Sequence, residues 1–330
     1  MSDNSPRPAV PPSPPKGLWR ATPPAIFPPI LGFLGVGLAW RAAALDGSAM
    51  VAGLGELFLG AGALLYLFAL VAWLAKPLRR PAVVLEEIAV LPGRAGLAAM
   101  TLSSLLLAAV LVPYAPRLAL GLSVVSMLVH AGLAALVIRL ILIGPAEVRV
   151  VTPVWHLLFV GFIMAPLTWT PLGYVAASTA VVMLTLPLAC AIWAASLWQL
   201  IRRIPPAPLR PLLAIHVAPA SLLSAAAAGL GMTGLAAVLL AVAAAIAVGL
   251  VIALRWVTEA GFSPFWGAFT FPLSALAGAL WVLTDDGIPL RFAGSVVLTV
   301  ASIAIPWILV KVLQAWAGGD LERRTNPARV

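Results

Sequence analysis

Ionisable side chains are scarce inside the apolar stretches of this 330-residue chain, so each one is a candidate for chemistry. The clear cases are Glu56, Lys311, His130, His156 and His216. A charged side chain at the centre of a bilayer costs roughly 2.5–3.5 kcal/mol on insertion scales, so such a residue usually serves a function. Glu56 and Lys311 lie near the ends of their stretches, where long side chains reach the interface. The histidines remain, since an imidazole changes its charge near neutral pH.

His216 is the candidate pH-sensing residue, because it lies three residues before Pro219 in a stretch that prolines interrupt. It also aligns with Phe269 when the two similar proline-containing stretches described below are superimposed. The alternative role for His216 is a hydrogen bond between neighbouring helices.

Motifs that would indicate an enzyme are absent from the sequence. It has no His-Glu-x-x-His pattern, no Gly-x-Ser-x-Gly pattern, and no close Asp-Asp or Cys-His cluster within an apolar stretch. The single cysteine, Cys190, can form neither an intrachain disulfide nor a cysteine-based metal cluster. We therefore expect no enzyme activity, no cofactor and no bound metal.

Prolines recur at a fixed interval in the second half of the chain. Two stretches begin with a proline, carry another eight residues later, and have a serine two residues after that: Pro211, Pro219 and Ser221, then Pro264, Pro272 and Ser274. Pro153 and Gly161 repeat the interval with glycine as the helix breaker. A proline inside a membrane helix frees a carbonyl, which is tolerated where protein or a water-filled cavity satisfies it. Kinks at matching depths favour a shared central lining; the alternative is that each proline only shapes local packing.

The composition identifies these stretches as membrane spans. Hydrophobic residues make up 62% of the chain and charged residues 9%, whereas a soluble domain has about 25% charged residues. This excludes a soluble enzyme, a nucleic-acid-binding protein and a disordered chain. The stretches lack the period-2 alternation of a membrane barrel, so the predicted fold is an all-α integral membrane protein. Ten stretches reach the roughly 20 residues that a spanning helix needs: approximately 25–45, 50–75, 94–112, 118–143, 154–170, 172–200, 212–230, 232–254, 265–283 and 292–316.

Basic residues concentrate on one side of the predicted bundle, which indicates its orientation. Arg41, Arg117 and Arg291 fall on one side, and the other Lys and Arg residues fall on the opposite side. Cytoplasmic loops carry the excess of Lys and Arg in membrane proteins. We therefore expect both termini in the cytoplasm, in a plasma membrane such as the bacterial inner membrane. The predicted regions are a disordered Pro-rich leader over 1–24, a membrane domain over 25–316 and a cytoplasmic tail over 317–330.

The odd-numbered stretches differ from the even-numbered ones. They start at intervals of about 53–69 residues and several of them carry the repeated proline interval. This pattern predicts five tandem helical hairpins around a central pore, with the odd helices inside. The alternation is incomplete, because the third stretch has no interior proline and two even stretches contain Pro187 and Pro306.

Parts of three odd-numbered stretches resemble a known family. The residues that carry the resemblance are the run FWGAFTFPLSALA at 265–277, the run RPLLAIHVAP at 210–219, and Ile26-Phe27 followed by Leu31-Gly32. They are similar to the tellurite-resistance/dicarboxylate transporter (TDT) family, which includes TehA-like bacterial proteins and slow-anion-channel (SLAC)-like proteins of plant guard cells. The resemblance covers residues 25–316. It implies five hairpins around one pore in each subunit, odd helices that line the pore, and a homotrimer.

The resemblance also implies an aromatic gate. A phenylalanine in the aromatic run of the ninth helix closes the pore in this family, and that position falls on Phe271, with Phe269 as the alternative register. Phe27 matches a second aromatic that faces the gate. An aromatic plug in an uncharged pore excludes ions sterically and denies them hydration. The alternative for Phe271 is a packed or lipid-facing side chain.

Weakly polar residues and helix breakers form the predicted lining: Pro28, Ser103, Gly161, Pro219, Ser221, Ser224, Thr270, Pro272 and Ser274. No ring of acidic residues accompanies them, which argues against a cation channel. The predicted function is a gated channel for small inorganic or organic anions in the lipid bilayer, with no nucleic-acid partner. The alternative is a proton-coupled secondary transporter of dicarboxylate, sulfite or tellurite-type oxyanions. Such a carrier needs a titratable group near the midplane, which only the histidines offer.

Overall fold

The computed structural model describes residues 19–44, 48–283 and 288–329. Residues 1–18 of the predicted leader and Val330 at the end of the predicted tail lie outside the described residues. The described residues form helices and connecting turns, with no strand among them. The prediction of an all-α protein is therefore confirmed for this part of the chain.

Thirteen α-helices follow one another along the described chain. They are α1 (Phe27–Ala43), α2 (Ala49–Leu74), α3 (Val83–Ala89), α4 (Leu91–Leu111), α5 (Pro116–Ile143), α6 (Pro166–Trp169), α7 (Val175–Arg202), α8 (Val217–Gly229), α9 (Thr233–Ile252), α10 (Leu254–Val257), α11 (Gly267–Val282), α12 (Ile288–Ala317) and α13 (Asp320–Thr325). Stretches of 3₁₀-helix lead into three of them, Pro24–Ile26 before α1, Ala207–His216 before α8 and Pro264–Trp266 before α11. With these leads, nine helices of the described residues are long and apolar enough to cross a membrane.

The predicted fifth span is shorter than the sequence suggested. Over 154–170 the chain forms a π-helical turn (His156–Val160), a 3₁₀ turn (Gly161–Met164) and α6, and this inner segment, His156–Trp169, is too short to count among the nine. Gly161 and Pro166 interrupt the regular pattern, because glycine weakens a helix and proline lacks an N–H group. By length, then, nine helices of the described part meet the spanning criterion, where ten were predicted.

Consecutive helices pack side by side as pairs. The pairs are α1 with α2, α4 with α5, the inner segment with α7, α8 with α9, and α11 with α12. Between 56% and 83% of the residues in α1, α4, α8 and α11 with their leads are buried, against 22–33% in the long helices that follow each of them. The first member of each of these pairs therefore lies inside the bundle.

The inner members form a ring. Helix α1 packs against α4 and α11, α11 packs against α8, and the inner segment packs against both α4 and α8. Small residues permit the closest of these approaches. A Cβ atom added to Gly32 would overlap Thr270, and one added to Gly35 would overlap Ser274, so the α1 and α11 backbones can approach only with glycine at these positions.

The end of the chain packs onto the turn that follows α2. The Lys76 ammonium pairs with the Glu87 carboxylate of α3, and both side chains are fully buried. Lys76 Nζ also donates a hydrogen bond to the Ala328 carbonyl (3.1 Å), and Arg80 donates one to the Arg329 carbonyl (2.7 Å). The described part of the predicted tail is thus folded against the body.

Candidate functional site

Three cavities follow one another inside the ring, and among the described residues Phe271 of α11 is the one that lines all three. The first cavity, of about 40 Å³, lies beside the leads of α1 and α11, at Ala25 and Pro264. The second, of about 20 Å³, lies against the inner segment and α8. The third, of about 340 Å³, lies towards the C-terminal ends of α1 and α11. Phe271 therefore separates two ends of an interrupted passage.

The backbone around Phe271 is fixed by its two neighbours in sequence. Thr270 Oγ1 lies 2.7 Å from the Gly267 carbonyl of its own helix and 2.9 Å from the Pro28 carbonyl of α1, and it shares its hydrogen between them. Pro272 lacks an N–H group, so the carbonyl four residues earlier loses its usual helical donor. The Phe271 side chain is 4% exposed. The ring is therefore held at the point where α11 meets α1.

The other two predicted gate residues lie elsewhere. The Phe27 ring is fully buried, with its centroid 6.2 Å from that of Tyr66 on α2. The Phe269 ring is half-buried and lies 5.7 Å from Trp266, centroid to centroid. Neither residue lines one of the three cavities. Of the three predicted aromatic residues, only Phe271 lies where the three cavities meet, a point called the constriction below.

The helix breakers of the predicted lining do border the passage. Pro28 and Pro272 line the first cavity, whereas Gly161 and Pro219 line the second. These residues come from α1, α11, the inner segment and α8, and Pro92 of α4 also lines the first cavity, so all five inner elements contribute a proline or glycine to the two narrow cavities.

The predicted hydroxyl residues are mostly turned to the backbone. Each donates to a carbonyl: Ser103 to Ala99 (2.7 Å), Ser221 to Val217 (2.9 Å), Ser224 to Ala236 (2.8 Å), Thr270 as described, and Ser274 to Phe271 (3.0 Å). Of these hydroxyl residues, only Ser274 lines one of the three cavities, the largest. Their hydroxyl hydrogens are engaged within the protein in this structure, and their role in the lining stays a prediction.

Two histidines meet beside the constriction. The Nε2 atom of His156 lies 2.9 Å from Nδ1 of His216, within hydrogen-bond distance. Trp193 of α7 donates from Nε1 to the His216 carbonyl (3.2 Å), and its ring lies 5.6 Å from the His156 ring. His156, and not His216, lines the second cavity. The sequence pattern indicates His216 alone, because the two histidines are 60 positions apart and no motif links them.

The third histidine is engaged outside the passage. His130 of α5 is fully buried, with Nδ1 2.7 Å from Thr101 Oγ1 and Nε2 3.1 Å from the Leu158 carbonyl. It therefore ties α5 to α4 and to the inner segment.

A paired charge lies at the wide end of the passage. Arg41 lines the widest of the three cavities in the ring and contacts Glu56 of α2 through Nη2 (2.9 Å) and Nε (3.1 Å). Tyr114 donates its hydroxyl hydrogen to Glu56 Oε2 (2.6 Å). Glu56 thus has partners at the protein surface, and Lys311 is exposed. In the described part of the chain, no three His, Cys, Asp or Glu residues are grouped so that they could hold a metal ion.

The chain matches a known protein family. A family model described as SLAC1, voltage-dependent anion channel, matches residues 21–313. No curated protein matches the chain at a significant level.

Proposed function

Since the chain belongs to the SLAC1 family of voltage-dependent anion channels, we propose that it is a gated anion channel that Phe271 closes. Membership of this family makes it a multi-pass membrane protein of anion transport. The finer choice, channel with an aromatic gate, rests on one observation: Phe271 is the residue common to the three cavities inside the ring.

The proposed membrane arrangement has ten passes in five hairpins. The inner segment is the fifth predicted span and one of the five inner elements. It is short, and its irregular backbone is covered by α4, α7 and α8. Non-helical backbone is tolerated at membrane depth where protein covers it. The basic loops favour an orientation with both termini in the cytoplasm. The membrane proposed is the plasma membrane. The oligomer proposed from the family resemblance is a homotrimer.

Closure follows from the size and chemistry of the constriction. The two narrow cavities are apolar apart from His156, so an anion that entered them would lose most of its hydration and meet few polar groups in return. Displacement of the Phe271 ring would join these cavities to the wide one. The substrates proposed are small inorganic or organic anions, because no acidic residue in the described part of the chain lines the three cavities.

The test is anion current from purified protein in planar bilayers under an anion gradient. We expect a small wild-type current and a current at least about ten times larger for Phe271→Ala, because the plug is removed. Phe33→Ala is the matched control, since the Phe33 ring packs against Phe58 (centroids 5.0 Å apart) away from the passage. Equal currents from the two variants would contradict the gate.

The His156–His216 pair favours a second candidate function, a proton-coupled carrier of dicarboxylate, sulfite or tellurite-type oxyanions. Two titratable side chains beside the constriction are what such a carrier requires. Anion uptake into liposomes that follows an imposed proton gradient, without current from Phe271→Ala, would establish the carrier and reject the channel.

A further inference from the structure

His156 has the only polar side chain among the described residues that line the two narrow cavities. The rest of these linings consists of Ala, Gly, Pro, Leu, Ile, Val, Met and Phe residues. Because the hydroxyls of the inner helices donate to backbone carbonyls, His156 is the one side chain here that can offer a hydrogen bond to an ion at the constriction.

The His156 ring has one nitrogen engaged and one without a partner. Nε2 contacts His216, while Nδ1 is buried and has no hydrogen-bond partner among the described residues. His156 is 2% exposed. A buried polar atom without a partner costs about 1–3 kcal/mol, so an atom of this kind on a residue that lines a cavity is suited to a hydrogen bond with an occupant of that cavity.

The number of N–H hydrogens on the two imidazoles determines whether His156 Nδ1 can donate a hydrogen bond. Two neutral imidazoles joined by one hydrogen bond carry one further N–H, on one of the two outer nitrogens. When His216 Nδ1 donates to His156 Nε2, that further hydrogen lies on His156 Nδ1. In this form His156 can donate an N–H towards an acceptor, and an anion is the strongest acceptor available in an anion pathway.

We propose that His156 Nδ1–H binds a small monovalent anion, of the class of chloride or nitrate, at the constriction, and that His216 is the positioning residue that holds the hydrogen there. This inference rests on the proposed function and adds a ligand-binding atom to it. The second cavity, of about 20 Å³, has room for about one water molecule. A chloride or nitrate ion is larger, so binding and displacement of the Phe271 ring occur together.

The test uses amides that imitate one imidazole nitrogen at a time. The asparagine amide nitrogen occupies nearly the position of Nδ1, whereas the glutamine amide reaches the position of Nε2. His156→Asn therefore keeps a donor at the binding position, and His156→Gln loses it. His216→Asn keeps the donor towards His156, and His216→Leu removes it.

Each substitution is made in the conducting Phe271→Ala protein, and current is measured against nitrate concentration in planar bilayers. We expect His156→Gln and His216→Leu to raise the half-saturating nitrate concentration about 5- to 10-fold, the value of one hydrogen bond. His156→Asn and His216→Asn should stay within about 2-fold of the parent. Equal shifts for His156→Asn and His156→Gln, or no shift for either, would overturn the proposal.

A second measurement separates this inference from the proposed function. A bound anion raises the melting temperature of detergent-solubilised protein, because at a free anion concentration c it stabilises the folded state by RT ln(1 + c/Kd). If Phe271→Ala carries no current but nitrate, compared with gluconate, still stabilises it through His156, the channel fails and the anion site stands. If Phe271→Ala conducts and the melting temperature of neither His156 variant differs from the parent in its response to nitrate, the site fails and the channel stands.

Discussion

Thr270 Oγ1 lies 2.9 Å from the carbonyl oxygen of Pro28, and this hydrogen bond joins the residue before Phe271 to the first turn of α1. The bond joins the first and last inner helices, α1 and α11, between residues 242 positions apart in the chain. The position of the Phe271 ring therefore depends on α1 as well as on α11.

Thr270→Val tests this connection, because valine keeps the shape of threonine and removes the hydroxyl. Loss of a hydrogen bond worth about 1 kcal/mol should weaken closure and raise the basal anion current about 5-fold. Thr270→Ser should behave like the wild type. Thr299→Val is the control, since the Thr299 hydroxyl donates to Ser295 on the exposed part of α12. Equal currents from the two valine variants would separate Thr270 from the gate.

Gly35→Ala tests the close approach of α1 and α11. The added methyl group would overlap Ser274 and would lie 3.4 Å from Phe271 Cδ2, so the helices must separate. We expect a loss of about 1–3 kcal/mol in stability, measured as thermal unfolding in detergent. Ser274→Gly should restore part of the loss in the double variant.

Gly60→Ala is the matched control for this prediction, because nothing lies within 4 Å of a Cβ atom at that position of α2. It should leave stability unchanged or raise it by up to about 1 kcal/mol through helix propensity. A Gly35→Ala protein as stable as Gly60→Ala would show that the contact between α1 and α11 accommodates a methyl group.

Glu56→Gln should increase anion conductance, although it removes a surface ion pair. Arg41 lines the wide cavity, and the Glu56 carboxylate neutralises part of its field there. Removal of that carboxylate leaves a more positive mouth, which raises the local anion concentration. In the Phe271→Ala protein we expect about a 2-fold increase at 0.05 M salt, and a decrease for Arg41→Gln.

Ionic strength provides the internal check on this effect. Both changes should shrink towards zero at 1 M salt, where the Debye length is about 3 Å. Arg117→Gln is the control, since Arg117 is an exposed residue at the start of α5 outside the cavity lining. A Glu56→Gln increase that persists at 1 M salt would indicate a structural change instead.

The buried pair of Lys76 and Glu87 makes stability depend on both partners. Burial lowers the pKa of Lys76 and raises the pKa of Glu87, while their mutual attraction opposes both shifts. Lys76→Met or Glu87→Gln alone should cost about 3–5 kcal/mol, because each leaves a buried charged group without its partner. The double variant Lys76→Met/Glu87→Leu should recover most of the loss in thermal unfolding.

The Glu87→Gln protein should also become more stable as pH rises. Without Glu87, burial keeps the pKa of Lys76 below its ordinary value in the folded state, whereas the unfolded lysine titrates near 10.4. Between these values the unfolded state binds more protons, so the free energy of unfolding increases with pH. The melting temperature at pH 9.5 minus that at pH 7 should be larger than in the double variant. Equal differences would contradict the prediction.

Much of the fold could be predicted from hydropathy, because a membrane helix must be apolar over about 20 residues. The long helices lie where the sequence placed them. The inner segment was misjudged, because a π turn and a 3₁₀ turn around Gly161 are stable only through contacts with α4, α7 and α8. Apolar composition carries no information about such contacts.

The site could be predicted less completely. The aromatic run located Phe271, whose gating role stays a prediction. The orientation of the hydroxyl groups could not be predicted. A serine in an apolar helix can face a cavity or donate to the preceding turn, and the sequence is the same in both cases. The contact between His156 and His216 depends on how two distant helices pack.

The contact between α1 and α11 also has a consequence for assembly, because the ring can close only after α11 has been synthesised. During synthesis α1 enters the membrane long before the residues that will cover Gly32 and Gly35 have been made. Its inner face must therefore wait in lipid, which an apolar, glycine-containing surface tolerates without unsatisfied polar groups. Because α11 joins α1 to α8, a chain that ends before α11 lacks the contacts that close the ring.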